Sequence, residues 1–172
     1  MPIEKIIILV INVFGGVAVI GSYIFGLKSG AEGANALWGG TPTSIRSIYT
    51  VSMILSALGY FAFIYFILFK LDPASFNFNL LYIIFLAILG ASALWMPLSN
   101  LFLAHPSSAL WLAVRIILAV VGFSSIALAW VLIGFSGREF GLAYYLAVAG
   151  SVYFAFHTAF LDMILWPIFF KM

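Results

Sequence analysis

The chain has 172 residues, of which 66% are hydrophobic and 7% are charged, and its mean hydropathy is +1.24. Such a composition leaves too little polar surface to cover a soluble globule of this size, so we expect lipid to solvate the protein. The formal net charge of +2 comes from scattered residues, which argues against nucleic acid as a partner, and the lack of cysteine excludes disulfides and thiolate metal sites.

Five apolar segments predict an all-α, multi-pass integral membrane protein with five transmembrane helices in a single domain. The first begins after Glu4 and Lys5 and is longer than a signal-peptide core of roughly 7–15 residues, so we interpret it as a retained helix. An odd number of spans places the termini on opposite sides of the membrane. The predicted spans are residues 6–27, 45–69, 79–103, 108–135 and 140–170, each able to cross about 30 Å of hydrocarbon.

Basic residues do not orient the chain, because three are expected on each side of the membrane. Lys5, Lys70 and Arg138 fall on the N-terminal side, and Lys28, Arg46 and Lys171 on the other.

The first connection, residues 28–44, is long, rich in glycine and contains Trp38. A long loop at a membrane surface is more often functional than a spacer, so we expect a lid over a site; the alternative is a loose extramembrane loop.

Two charged residues, Arg115 and Asp162, lie well inside predicted spans. Counting 1.5 Å per residue places both roughly 10–12 Å below the surface that carries the long loop. Because a charge in lipid is costly, both should face the interior of the bundle, either as a structural ion pair or lining a ligand or ion pathway. Asn12, in the opposite leaflet, is predicted to make an interhelical hydrogen bond.

His157 precedes Asp162 by five residues, about 140° around an α-helix, so the two are predicted on different faces. We expect the imidazole to be hydrogen-bonded to a neighbouring helix rather than to ligate haem or a metal. Polar and aromatic residues of other spans share its leaflet, which predicts a ligand pocket beneath the loop. The candidate residues are Trp38, Tyr49, Trp95, Asn100, Arg115, His157 and Asp162.

Short motifs make the chain resemble the family of tryptophan-rich sensory proteins and translocator proteins, also called the peripheral benzodiazepine receptor family. The third span resembles that family's Leu-Trp-x-Pro segment, and the second its Trp-Thr-Val, downstream of a proline. The fifth span is similar to the family's Tyr and later Leu-Asn. The matching residues are Leu94, Trp95, Pro97, Leu98, Tyr49, Thr50, Val51, Pro42, Tyr153, Leu161 and Asp162.

The resemblance implies a dimer that binds hydrophobic ligands such as porphyrins or sterols under the first loop. Trp95 and Tyr49 would carry over to the site, with Asp162 in place of an asparagine. The small residues Ala87, Gly90 and Ala91 of the third span suit either internal packing or a homodimer through that helix.

Two functional classes remain open. The first is a membrane-embedded binder or carrier of a small hydrophobic ligand, with porphyrin or a lipid-like molecule as the candidate occupant and no certain cofactor. The second is a structural or assembly subunit of a larger membrane complex, with a filled interior and a broad apolar interface. An enzyme using Asp162 or His157 as a base is the weakest hypothesis, because the spacing supports no nucleophile triad, carboxylate pair or phosphate loop.

Overall fold

The computed structural model describes residues 1–29, 33–135 and 141–170; Arg138 and Lys171, used above to count charges, lie outside these ranges. The described chain is helical without strands, and five of its helices are long and apolar enough to cross a membrane. The predicted all-α, multi-pass membrane protein is therefore confirmed. The helices are α1 (Ile3–Ser29), α2 (Gly33–Ala36), α3 (Thr43–Phe69), α4 (Phe78–Ala104), α5 (Ser108–Ile133), α6 (Leu142–Ala155) and α7 (Trp166–Phe169), with a π-helical segment (Phe156–Leu165) joining the last two into the fifth span.

Polar side chains cap the N-termini of two of the long helices. The Asn77 side chain accepts a hydrogen bond from the backbone N–H of Asn79, at 3.1 Å, and Ser107 accepts one from that of Leu110, at 3.3 Å. Each side chain satisfies one of the backbone donors that a helix leaves unpaired at its start, so the boundaries of α4 and α5 follow from local chemistry.

The five spans pack side by side in an order that differs from the chain order; the three inner spans each pack on two neighbours, and the two outer spans, α1 and α3, each pack mainly on one. α1 lies along α4, α4 along α5, α5 along the fifth span, and the fifth span along α3. α1 and α3 make only slight contact with each other. The Tyr60 hydroxyl donates to the Asn12 side chain across that seam, which confirms the interhelical hydrogen bond predicted for Asn12.

Two glycines set the contact between α3 and α6. A Cβ atom added to Gly59 would lie 2.7 Å from the carbonyl oxygen of Gly150, and one added to Gly150 would lie 2.7 Å from that of Gly59. The two backbones therefore touch directly, and only residues without side chains permit this approach. The contact lies two helical turns from Ser52 on α3 and two turns from His157 on the fifth span, so it holds those residues at a fixed separation.

A candidate functional site beneath the first loop

The π-helical segment brings His157 and Asp162 together. In a π-helix the backbone bond runs between residues five apart, so residues at that spacing share a face. The imidazole Nε2 lies 3.6 Å from the Asp162 Oδ2, too long for a hydrogen bond but close for an electrostatic contact. The prediction that the two residues lie on different faces is therefore wrong, because it assumed the α-helical period throughout the fifth span.

A polar chain connects this pair to α3. The Tyr153 hydroxyl donates to Ser52 Oγ at 3.2 Å, and Ser52 Oγ lies 2.9 Å from Nδ1 of His157. The donor in the bond between Ser52 and His157 depends on the imidazole tautomer, because a hydroxyl that accepts from Tyr153 can still either donate to Nδ1 or accept from it. The hydrogen-bonded chain therefore runs from Tyr153 through Ser52 to His157, and the Asp162 carboxylate is in electrostatic contact with its far end. The hydrogen bond expected between the imidazole and a neighbouring helix is thereby found.

Tyr49 supports the π-helical segment from the side. Its buried hydroxyl donates to the backbone carbonyl of Leu161 at 2.7 Å, and that carbonyl also accepts the N–H of Trp166, five residues later. The Tyr49 ring meets the imidazole of His157 edge-on, with the ring centres 6.4 Å apart. The tyrosine therefore contacts both the backbone and a side chain of the segment that carries the polar pair.

The first loop is fastened to the end of the fifth span by two hydrogen bonds. The backbone N–H of Gly40 donates to Phe169 at 3.0 Å, and the indole N–H of Trp166 donates to the Leu37 carbonyl at 3.0 Å. Trp38 lies edge-on to Tyr49 with ring centres 5.9 Å apart, so the described part of the loop covers the site. The loop is thus packed on the fifth span, and its role as a lid over a ligand site stays a prediction; residues 30–32 lie outside the described chain.

Aromatic rings from three spans fill the space below the loop. Tyr23 of α1 lies 5.6 Å from Trp95 of α4, ring centre to ring centre, and Trp95 lies 5.9 Å from Trp166. Tyr23 of α1 and Tyr49 of α3 both lie near the Asp162 carboxylate, which is partly exposed. We refer to Tyr23, Tyr49, Trp95, His157, Asp162 and Trp166 as the interior cluster.

Two polar atoms on α4 are buried without a partner among the described residues. They are the indole Nε1 of Trp95 and the hydroxyl of Ser99. Residues four apart lie on the same helix face, so both atoms are directed to one side of α4. An unpaired buried donor costs about 1–3 kcal/mol, and its retention in a folded protein calls for a physical explanation.

The predicted site residues divide into three groups. Five of them, Trp38, Tyr49, Trp95, His157 and Asp162, meet beneath the loop. Asn100 instead ties α4 to α1, because its side-chain N–H₂ group donates to the Gly26 carbonyl at 2.9 Å.

Arg115 lies elsewhere, and its predicted place in the bundle interior is wrong. Its side chain is exposed on the outer face of α5, where it lines a groove of about 850 Å³. No salt bridge joins it to Asp162, whose contact in the described chain is His157. A common depth in the membrane did not imply a common face, since the depth count carries no information on rotation about the helix axis.

Four residues of the site were not among the predicted site residues: Tyr23, Ser52, Tyr153 and Trp166. Ser52 belongs to a stripe on α3 with spacings of three and four, formed with Tyr49, Ser56 and Gly59, all of them buried. A stripe of small and polar residues in a lipid-embedded helix was a usable signal for a buried polar contact. Tyr23 carried no such signal, because a single tyrosine near the end of a span is typical of the membrane interface.

Comparisons with family models, with curated proteins and with solved structures gave no match. Within the described ranges, no three His, Asp or Glu side chains are grouped closely enough to hold a metal ion.

Proposed function

We propose that this protein binds or carries a small hydrophobic ligand with a polar end, within the membrane and beneath the first loop. The observation that carries the proposal is the buried indole N–H of Trp95, which has no acceptor among the described residues. A ligand oxygen at this position would satisfy it.

The surroundings of Trp95 suit an amphipathic ligand. Rings of Tyr23 and Trp166 flank the indole, whereas Asp162 supplies a polar group near Tyr23 and is itself in contact with His157. Ligand sites commonly combine an apolar lining with a few placed polar groups. Porphyrins, sterols and lipid-like molecules all pair a large apolar body with a polar edge, and they are the candidate ligand classes.

Access would come through the seam between α1 and α3. These spans make slight contact, and the hydrogen bond between Tyr60 and Asn12 closes the seam at a distance from the first loop. Near the loop, α1 is held by Tyr23 against Trp95 and by the carbonyl that accepts from Asn100. Because the rings of Tyr23 and Trp95 pack on one another, a ligand that enters through this seam must displace Tyr23 to reach the indole.

The motifs shared with the tryptophan-rich sensory protein and translocator protein family support the same proposal. Trp95 of the Leu-Trp-x-Pro segment and Tyr49 of the second-span motif both belong to the interior cluster. Kinship with that family, and its hydrophobic ligands, are therefore part of what we propose. A homodimer through α4 is compatible with this arrangement, since α4 keeps an exposed stripe that includes Leu86, Gly90 and Leu94.

The test is the variant Trp95→Phe, which keeps an aromatic ring and deletes the N–H group. Binding of protoporphyrin IX, cholesterol and a monoacyl lipid would be measured on purified protein in nanodiscs. For the probe that binds, we expect about a 5- to 10-fold loss of affinity, the value of one hydrogen bond of about 1–1.4 kcal/mol. Trp130→Phe is the matched control, because Trp130 is 77% exposed on α5. Equal binding by both variants, or no binding of any probe, would contradict the proposal.

A second function, a subunit of a larger membrane complex, is favoured by one observation. Only 6% of the most apolar stretch of α1 is buried inside the protein, compared with 39% for each of the other four spans. A neighbouring membrane chain could cover that surface. Native mass spectrometry of the gently solubilised protein separates the two functions: a stoichiometric complex with other membrane chains and no retained small molecule would favour the subunit.

A further inference from the structure

We infer that the outer groove around Arg115 is a binding site for one anionic phospholipid. This site is separate from the interior cluster and does not depend on the proposed function. The groove has a volume of about 850 Å³ and lies between α5 and the fifth span. Its lining combines Ser108, Trp111 and Arg115 with apolar side chains that include Ile116, Ala119 and Ile164.

The charge of Arg115 demands a counter-ion. The side chain is exposed on the lipid-facing surface, and it takes part in no salt bridge within the described ranges. An arginine in the hydrocarbon region is costly unless it reaches the interface or meets an anion. The guanidinium group is also the side chain best suited to phosphate, because its planar fork can donate two parallel hydrogen bonds.

The direction of Arg115 fits a headgroup at the membrane surface. The residue lies seven positions after Ser108, about 10 Å down the helix at 1.5 Å per residue. Side chains in a helix lean toward its N-terminus, which for α5 is the end at this surface. The long stem can therefore carry the charge upward past the level of Trp111, toward the headgroup region of the lipids.

The deeper part of the groove suits an acyl chain. Below Arg115 the lining consists of Ile116 and Ala119 on one side and Met163 and Ile164 on the other, with no charged side chain. Ala119 is the small residue of this stretch, and it leaves depth between the two helices. The groove thus has a cationic end that suits a phosphate headgroup and an apolar end that suits an acyl chain. A phospholipid has both parts, whereas a soluble anion has only the first, so we favour a lipid as the occupant.

A second outer groove provides an internal comparison. It has a volume of about 450 Å³, lies between α3 and α6, and its lining, including Leu58, Ala62 and Leu146, contains no charged residue. This groove should accept acyl chains without preference for the headgroup. A bulky residue placed there controls for the general effect of adding bulk to the outer surface.

The experiment is native mass spectrometry of the purified protein with phosphatidylglycerol or phosphatidylcholine of identical acyl chains. We expect the wild-type protein to retain phosphatidylglycerol at least about five-fold more, Arg115→Gln to abolish the preference, and Arg115→Lys to keep part of it. Ala119→Phe should lower retention of both lipids by filling the trough, whereas Ala62→Phe should preserve the preference. A preference that persists in Arg115→Gln, or retention in Ala119→Phe equal to that in Ala62→Phe, would overturn the inference. So would an acidic membrane protein, rather than a lipid, released from the wild-type protein but not from Arg115→Gln.

Discussion

The contact between Gly59 and Gly150 makes the sharpest prediction about stability. In Gly59→Ala the new Cβ would lie 2.7 Å from the carbonyl oxygen of Gly150 and 2.9 Å from its Cα, and ordinary contact begins near 3.4 Å. Both atoms belong to a backbone, so no side chain can rotate away, and the helices must separate by about 0.7 Å. Overpacking of this kind costs about 1–3 kcal/mol.

Gly16→Ala is the matched control for this substitution. Gly16 also lies within a transmembrane helix, but a Cβ atom there would have no neighbour within 4 Å. Both variants gain the same helix propensity from alanine, so the difference between them isolates the clash. We expect Gly59→Ala to lower the free energy of unfolding, measured by denaturant titration in mixed micelles, by about 1–3 kcal/mol more than Gly16→Ala.

The reciprocal variant sharpens the test. Gly150→Ala should cost as much as Gly59→Ala, and the double variant should cost less than the sum, because one separation of the helices relieves both clashes. Equal stability of Gly59→Ala and Gly16→Ala would refute the reasoning, as would strict additivity in the double variant. The first result would mean that α3 and α6 are not in backbone contact.

Three further substitutions test individual hydrogen bonds. Tyr49→Phe should destabilise the protein by about 1 kcal/mol, because it removes the donor to the Leu161 carbonyl, and denaturant titration would show an unchanged midpoint if that bond is absent. Tyr60→Phe should cost about 1 kcal/mol by freeing the Asn12 side chain from α3, and the same titration with Tyr65→Phe, an exposed tyrosine of the same helix, is the control. Trp166→Phe should speed proteolysis within the first loop several-fold, since its indole no longer holds the loop; cleavage at the wild-type rate would speak against this anchor.

The five spans could be predicted from the sequence because a membrane-spanning helix requires a long apolar segment, and the hydropathy of each residue can be read directly from the sequence. The predicted start of the fourth span, residue 108, coincides with the start of α5 after its Ser107 cap. The other boundaries moved by a few residues, as for α3, which begins at Thr43 rather than at residue 45. Helix ends depend on caps and turns that hydropathy does not describe.

The candidate site was harder to predict because it depends on rotation and on helix type. Five candidate residues meet beneath the first loop, since chain order and depth place them in one leaflet. The location of Arg115 was wrong because depth does not determine the face of a helix. His157 and Asp162 come together because the helical period changes from α to π in this segment. The segment contains no glycine or proline, so no residue of this kind signals the change in the sequence.

The packing of α1 on α4 also has a consequence for biosynthesis. The ribosome releases α1 first, but its main neighbour is the third span to be made, so α1 must wait alone in the bilayer. The side-chain N–H₂ group of Asn12 donates to the Ile8 carbonyl of the same helix at 2.8 Å. The amide is therefore already hydrogen-bonded within α1 before α3, which carries Tyr60, is inserted. α3 waits longer, because its partner belongs to the last span. The final span to be made therefore joins α3 to the group formed by α1, α4 and α5, and a truncated chain that lacks it would leave α3 without its main neighbour in lipid.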